Sequence, residues 1–134
     1  MLEYFQTKLE KTTPFKPMVK RDYVTSMGAW YGFKPRLNFK KLGINKKNFV
    51  KEMQERGLDI KIPGSNLLPD YNLFSSEKVT FHNFPKKNQK ANFPNAKKYI
   101  SSIVSIPTWT FPENRVIIDK YISIFNNYFK NIIK

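Results

Sequence analysis

Two hydrophobic periods succeed one another along the chain. In residues 2–11, Leu2, Phe5 and Leu9 recur at helical spacing and stop ahead of Pro14, with no capping residue before the first turn, as at the end of a longer helix. Pro14 and Pro17 predict an extended connector. From 27 to 39 the period becomes two: Met27, Ala29, Tyr31, Phe33, Pro35, Leu37 and Phe39 alternate with Gly28, Trp30, Gly32, Lys34, Arg36 and Asn38. One face of such a strand turns inward. The other carries Trp30, Lys34 and Arg36, with glycines on both sides of the tryptophan where a ligand or partner backbone can approach. Pro35 lacks a ladder donor and marks an edge or the end of regular pairing.

Helical spacing returns at 46–56, where Asn45 is placed to cap, Phe49, Val50 and Met53 face inward, and Gly57 suits a left-handed C-terminal cap. Residues 58–62 alternate again, Leu58, Ile60 and Ile62 against Asp59 and Lys61, and read as a strand. Pro63-Gly64-Ser65-Asn66 is a turn, 67–74 a structured loop around Pro69-Asp70, and 79–84 a short strand. The lysine-rich run 84–94 reads as a surface loop. Pro94 opens a helix running to about Val104, with Ala96, Tyr99, Ile100 and Ile103 on one side. Thr110 is placed to cap a last helix with Ile117, Tyr121, Ile124, Tyr128 and Ile132 as its main stripe. Ile118, Phe125 and Phe129 widen that stripe beyond what a small sheet covers, so the tail has apolar surface to offer a partner. Strand, helix and strand with short joints make an α/β (α+β) class: a small sheet of about three strands packed with three to four helices.

At 134 residues the chain suits a single core. The absence of cysteine removes disulfides, thiolate nucleophiles and the usual zinc sites, and the lone His82 has no carboxylates at ligand spacing. The opening residues lack the apolar run of a signal peptide and the apolar tail is interrupted by charges and asparagines, which predicts a cytoplasmic chain with no membrane span. A net charge of +14 invites a polyanion. Twenty lysines against four arginines, spread thinly beside abundant Asn, Ile, Phe and Tyr, also fit drift in an AT-rich genome. Arginine, the better fork for phosphate and guanine, is scarce.

No phosphate loop, GxGxxG, GxSxG elbow or carboxylate pair is present, so an independent enzyme is not expected. The order of segments does resemble one family. Trp30-Tyr31-Gly32, Arg56-Gly57, Pro63-Gly64-Ser65, Phe93-Pro94-Asn95-Ala96 and Ser105-Ile106-Pro107 follow one another as in the C-terminal small domain of the DegT/DnrJ/StrS-type sugar aminotransferases, fold-type I enzymes that depend on pyridoxal phosphate. The resemblance covers about residues 20–134, and implies that 1–19 are the end of an interdomain helix and its connector. It implies further that the chain is a fragment, split subunit or remnant of an enzyme that aminates a keto-sugar, commonly nucleotide-linked. The aldimine lysine and the other cofactor contacts belong to a large domain, in the same or a separate chain, so no residue here is assigned to catalysis or to pyridoxal phosphate. Members of this family are usually homodimers. In that setting Trp30, Tyr31, Lys34, Arg36 and Ser65 are the substrate-binding or interdomain candidates. The competing expectation is a small basic nucleic-acid-binding module using Trp30, Tyr31, Lys34 and Arg36 as a stacking and phosphate platform.

Overall fold

A computed structural model describes residues 1–16, 18, 21–25, 32–64, 66–71 and 93–132. Four helices are formed among these: α1 (Leu2–Thr12), α2 (Lys46–Glu55), α3 (Pro94–Ser102) and α4 (Arg115–Lys130), with short 3-10 turns at Leu68–Asp70 and Pro112–Asn114. The described residues group into two compact units, Met1–Ile62 with Ser102–Lys134, and Pro63–Ser101.

In the larger unit, α1 buries Leu2, Phe5 and Leu9, the stripe read from its spacing, and packs it on α4. The Tyr4 hydroxyl donates to Asp119 Oδ1 at 2.6 Å, and the Arg115 guanidinium lies 4.8 Å over the same ring, tying the two helices at their surface. Helix α2 forms as its sequence dictates. Asn45 Oδ1 accepts from the amides of Lys47 and Asn48, and Phe49, Val50 and Met53 are buried. Gly57 takes φ +84°, letting the Leu58 amide turn back to the Met53 carbonyl at 3.0 Å.

Two aromatic groups fill the core. Phe49 meets Phe15, Phe39, Phe125, Tyr128 and Phe129 with ring centroids 5.2–6.4 Å apart. Phe5 meets Phe33, Trp109 and Tyr121, and Tyr121 links the groups through Phe125 at 6.2 Å. The last helix is rotated relative to its expected stripe. Ile118, Tyr121, Ile122, Phe125, Tyr128 and Phe129 are buried, whereas Ile117 is 44% and Ile132 38% exposed. The aromatic rings, being the largest side chains available, set the buried face. Thr110 does not cap it, since a 3-10 turn entered from Phe111 comes first.

The expected α/β (α+β) class with a sheet of about three strands is not what the described residues form: no strand occurs among them. Four isolated antiparallel bridges stand in its place, Lys16 with Arg36, Arg36 with Ile103, Phe33 with Ile106, and Lys61 with Ser105. The reason lies in the backbone donors. In 58–62, the Leu58 amide is taken by Met53, the Asp59 amide by the Tyr121 hydroxyl at 2.7 Å and the Ile60 amide by Leu58, leaving Lys61 as the one residue of the run that pairs. In 33–37, Pro35 has no donor, so the pairings on either side of it remain separate. The burial alternation survives without the ladder. Phe33, Pro35 and Leu37 are fully buried and Phe39 nearly so, while Arg36 and Asn38 are exposed and Gly32 and Lys34 half-buried. Residues 27–31 and the expected strand at 79–84 lie outside the described residues.

The smaller unit contains the 3-10 turn, where the Asp70 amide donates to the Leu67 carbonyl, and α3. That helix buries none of its residues fully. It ends at Ser102 rather than near Val104 because the Ser102 carbonyl accepts from Leu37 and the Val104 amide donates to Pro35, drawing the chain into extended form. Among the described residues no helix is long and apolar enough to cross a membrane.

Candidate functional site

The bridges bring four extended pieces of the larger unit side by side. Phe33 pairs with Ile106 and Arg36 with Ile103, a single register that sets Lys34 opposite Ser105. Ser105 exchanges both backbone hydrogen bonds with Lys61, at 2.8 and 2.9 Å. Lys16 does the same with Arg36, at 2.7 and 3.0 Å. Residues directly opposite share a face.

The inner face buries Phe15, Phe33, Pro35, Leu37, Ile60, Val104 and Ile106, whereas Ile62, read as inward with Ile60, is 41% exposed. The outer face has two rows. One runs Lys34, Ser105, Lys61; the next runs Lys16, Arg36, Ile103, of which Ile103 is the buried apolar member. Beside the first row an open cleft of about 370 Å³ is lined by Gly32, Asp59, Lys61, Ser105, Ile106, Pro107 and Thr108. The Lys34 stem lies along its rim, with Cε 3.9 Å from where a β-carbon on Gly32 would stand. Asp59 Oδ1 sits 3.0 Å from Lys61 Nζ, both side chains well exposed, so the pair adds little to stability.

Of the residues singled out from sequence, Lys34 and Arg36 stand on this face in successive rows, with Lys34 at the cleft and Arg36 beside Lys16. Trp30, Tyr31 and Ser65 lie outside the described residues, as does His82. Lys16, Asp59, Lys61, Ser105 and Thr108 were not singled out. The outward positions of a period-two stretch flag Asp59 and Lys61, but pairing across 44 residues of chain, from Lys61 to Ser105, has no local signal.

Tyr121 holds the cleft's acidic residue in place from below, through its hydroxyl to the Asp59 amide. Burial pushes that phenol above its ordinary value, against the hydrogen bond with the Asp59 backbone, which pulls it down, and with the Asp59 charge, which adds to the rise. With the folded value above the unfolded one, this contribution is whole below about pH 10 and is lost as pH rises through the folded value. Tyr121→Phe is therefore expected to lose about 1–2 kcal/mol at neutral pH by orphaning the Asp59 amide, and to show a shallower alkaline loss, read from urea midpoints at pH 7 and above pH 10.

The described residues define a helical unit with one polar, mainly cationic outer face over an aromatic core. Compared with family models, with curated proteins and with solved structures, the chain matches none of them.

Proposed function

We propose that the chain is the C-terminal small domain of a pyridoxal-phosphate-dependent sugar aminotransferase of the DegT/DnrJ/StrS type, working in the cytoplasm with a large domain on the same or a separate chain. The outer cleft is its contribution to a sugar-nucleotide site. One observation supports this reading above others. Segments of the resemblance that are far apart in sequence converge on one cleft: Gly32 closes Trp30-Tyr31-Gly32, Asp59 and Lys61 lead into Pro63-Gly64-Ser65, and Ser105-Ile106-Pro107 forms the opposite wall.

Pyridoxal phosphate itself does not fit the described residues. No charged side chain among them is buried, and the cleft lining contains no ring to stack on a pyridine. No catalytic step is assigned to this chain.

The test is capture of the native protein with an antibody to residues 117–132, followed by borohydride reduction and peptide mapping. Pyridoxyl-lysine is expected on a peptide outside these 134 residues, on the same or an associated chain. Its absence, or its presence on one of the lysines here, overturns the reading.

A second reading, a single-stranded nucleic-acid platform, is favoured by the Lys16–Arg36 pairing, which sets two cations side by side on the outer face. It requires oligonucleotide affinity that falls steeply with salt.

A further inference from the structure

The first row of the outer face has the makings of an anion site. Lys34 and Lys61 stand on either side of Ser105 on neighbouring extended pieces, so their backbones are separated by two inter-strand spacings, about 10 Å. Two flexible lysine stems are long enough to reach one phosphate across that interval. The Ser105 backbone is spent on Lys61, which leaves its hydroxyl as the group it presents to the cleft, next to Thr108. Gly32 keeps one wall low. A side chain there would meet nothing closer than the Lys34 stem.

The one carboxylate in the lining, Asp59, holds Lys61 at 3.0 Å and lies at the surface, where exchanging one anion for another is nearly free. Two ammonium groups and two hydroxyls suit a dianionic group with several acceptor oxygens better than a single carboxylate. The neighbouring Lys16 and Arg36 extend the positive field along the face.

We propose that the cleft is a diphosphate subsite, in which Lys34 and Lys61 clamp a phosphate over Ser105 and Asp59 acts as the resident competitor that the ligand displaces from Lys61. The inference rests on the substrate reading above for the rest of the ligand. The diphosphate chemistry is shared by sugar nucleotides and by free pyrophosphate, and both serve as probes.

The experiment is amide-resolved NMR titration of the full chain with inorganic pyrophosphate, a nucleoside diphosphate sugar, and a thymidine oligonucleotide. Pyrophosphate is expected to move the amides of Gly32, Lys61 and Ser105 saturably. Lys34→Ala and Lys61→Ala should each weaken it roughly tenfold, the effect of one charge-assisted contact. Asp59→Asn should tighten it severalfold. Gly32→Leu, which changes no charge, should block it, and that separates a shaped cleft from a diffuse cationic surface. All four positions are at or near the surface, and the spectra themselves report whether each variant is folded.

Tighter binding of the nucleoside diphosphate sugar than of pyrophosphate identifies the sugar nucleotide as the source; equal binding assigns the site to pyrophosphate alone. No saturable shift overturns the subsite, as do shifts indifferent to Lys34→Ala and Gly32→Leu. Oligonucleotide binding that pyrophosphate does not compete away overturns it in favour of nucleic acid. Because none of these arms uses pyridoxal phosphate, failure here and failure of the aminotransferase reading are told apart.

Discussion

Phe49→Ala is expected to remove about 3–5 kcal/mol, the usual loss when a large buried ring is truncated. Phe49 is completely buried and touches five other rings, drawn from α4 and the segments that carry Phe15 and Phe39. Those rings belong to separate elements held by their own contacts, so they cannot all close on the gap. Against a total stability of roughly 5–15 kcal/mol for a domain, that is a large fraction of what keeps the chain folded. Urea unfolding followed by aromatic circular dichroism checks it, and a loss below about 1 kcal/mol would mean that the Phe49 cluster is not the centre of the core.

The second large effect contrasts two adjacent residues. Val104 is fully buried on the inner face and Ser105 is half-buried on the outer one, facing the cleft. Val104→Asp places a carboxylate in the apolar core cluster, which costs several kcal/mol and should leave the chain unfolded. Ser105→Asp should change stability by no more than about 0.5 kcal/mol, yet abolish pyrophosphate binding by setting a negative charge between Lys34 and Lys61. Thermal unfolding of both variants decides the matter. Equal destabilisation would mean that the extended pieces do not have two chemically distinct faces.

That contrast also marks how far the sequence could be read. The alternation of Phe33, Pro35 and Leu37 with Lys34 and Arg36 was legible and describes their burial correctly, because a side chain's side depends on local backbone geometry. The conclusion that these residues form a sheet was not correct. Sheet formation depends on where each amide finds its acceptor, and Met53, Tyr121 and Leu58 took the donors of 58–60. In α4 the helix was legible from its period, and Tyr121 and Tyr128 of its main stripe are buried as read, but the covered face turns toward Ile118, Phe125 and Phe129 and away from Ile117 and Ile132. Ile117 and Ile118 are equally apolar neighbours, and only the rings of Phe5, Phe15 and Phe49 packed against the helix decide which is covered.

The candidate site divides in the same way. Lys34 and Arg36 could be picked out because they stand opposite a buried face within one stretch, whereas Lys61 and Ser105 acquire meaning only when residues 44 apart exchange hydrogen bonds.

By itself, then, the amino-acid order determined the four helices, the Asn45 and Gly57 caps of α2, the inner and outer sides of residues 33–39, and the surplus of positive charge. These follow from interactions within a few residues of chain. Only the tertiary structure decided that the extended pieces meet through isolated bridges, that the aromatic rings gather around Phe49 and Phe5, and that Lys61 and Ser105 share one cleft with Lys34 in the same row. Each of those outcomes is a competition among distant partners for the same donors and the same space, and no local pattern encodes its winner.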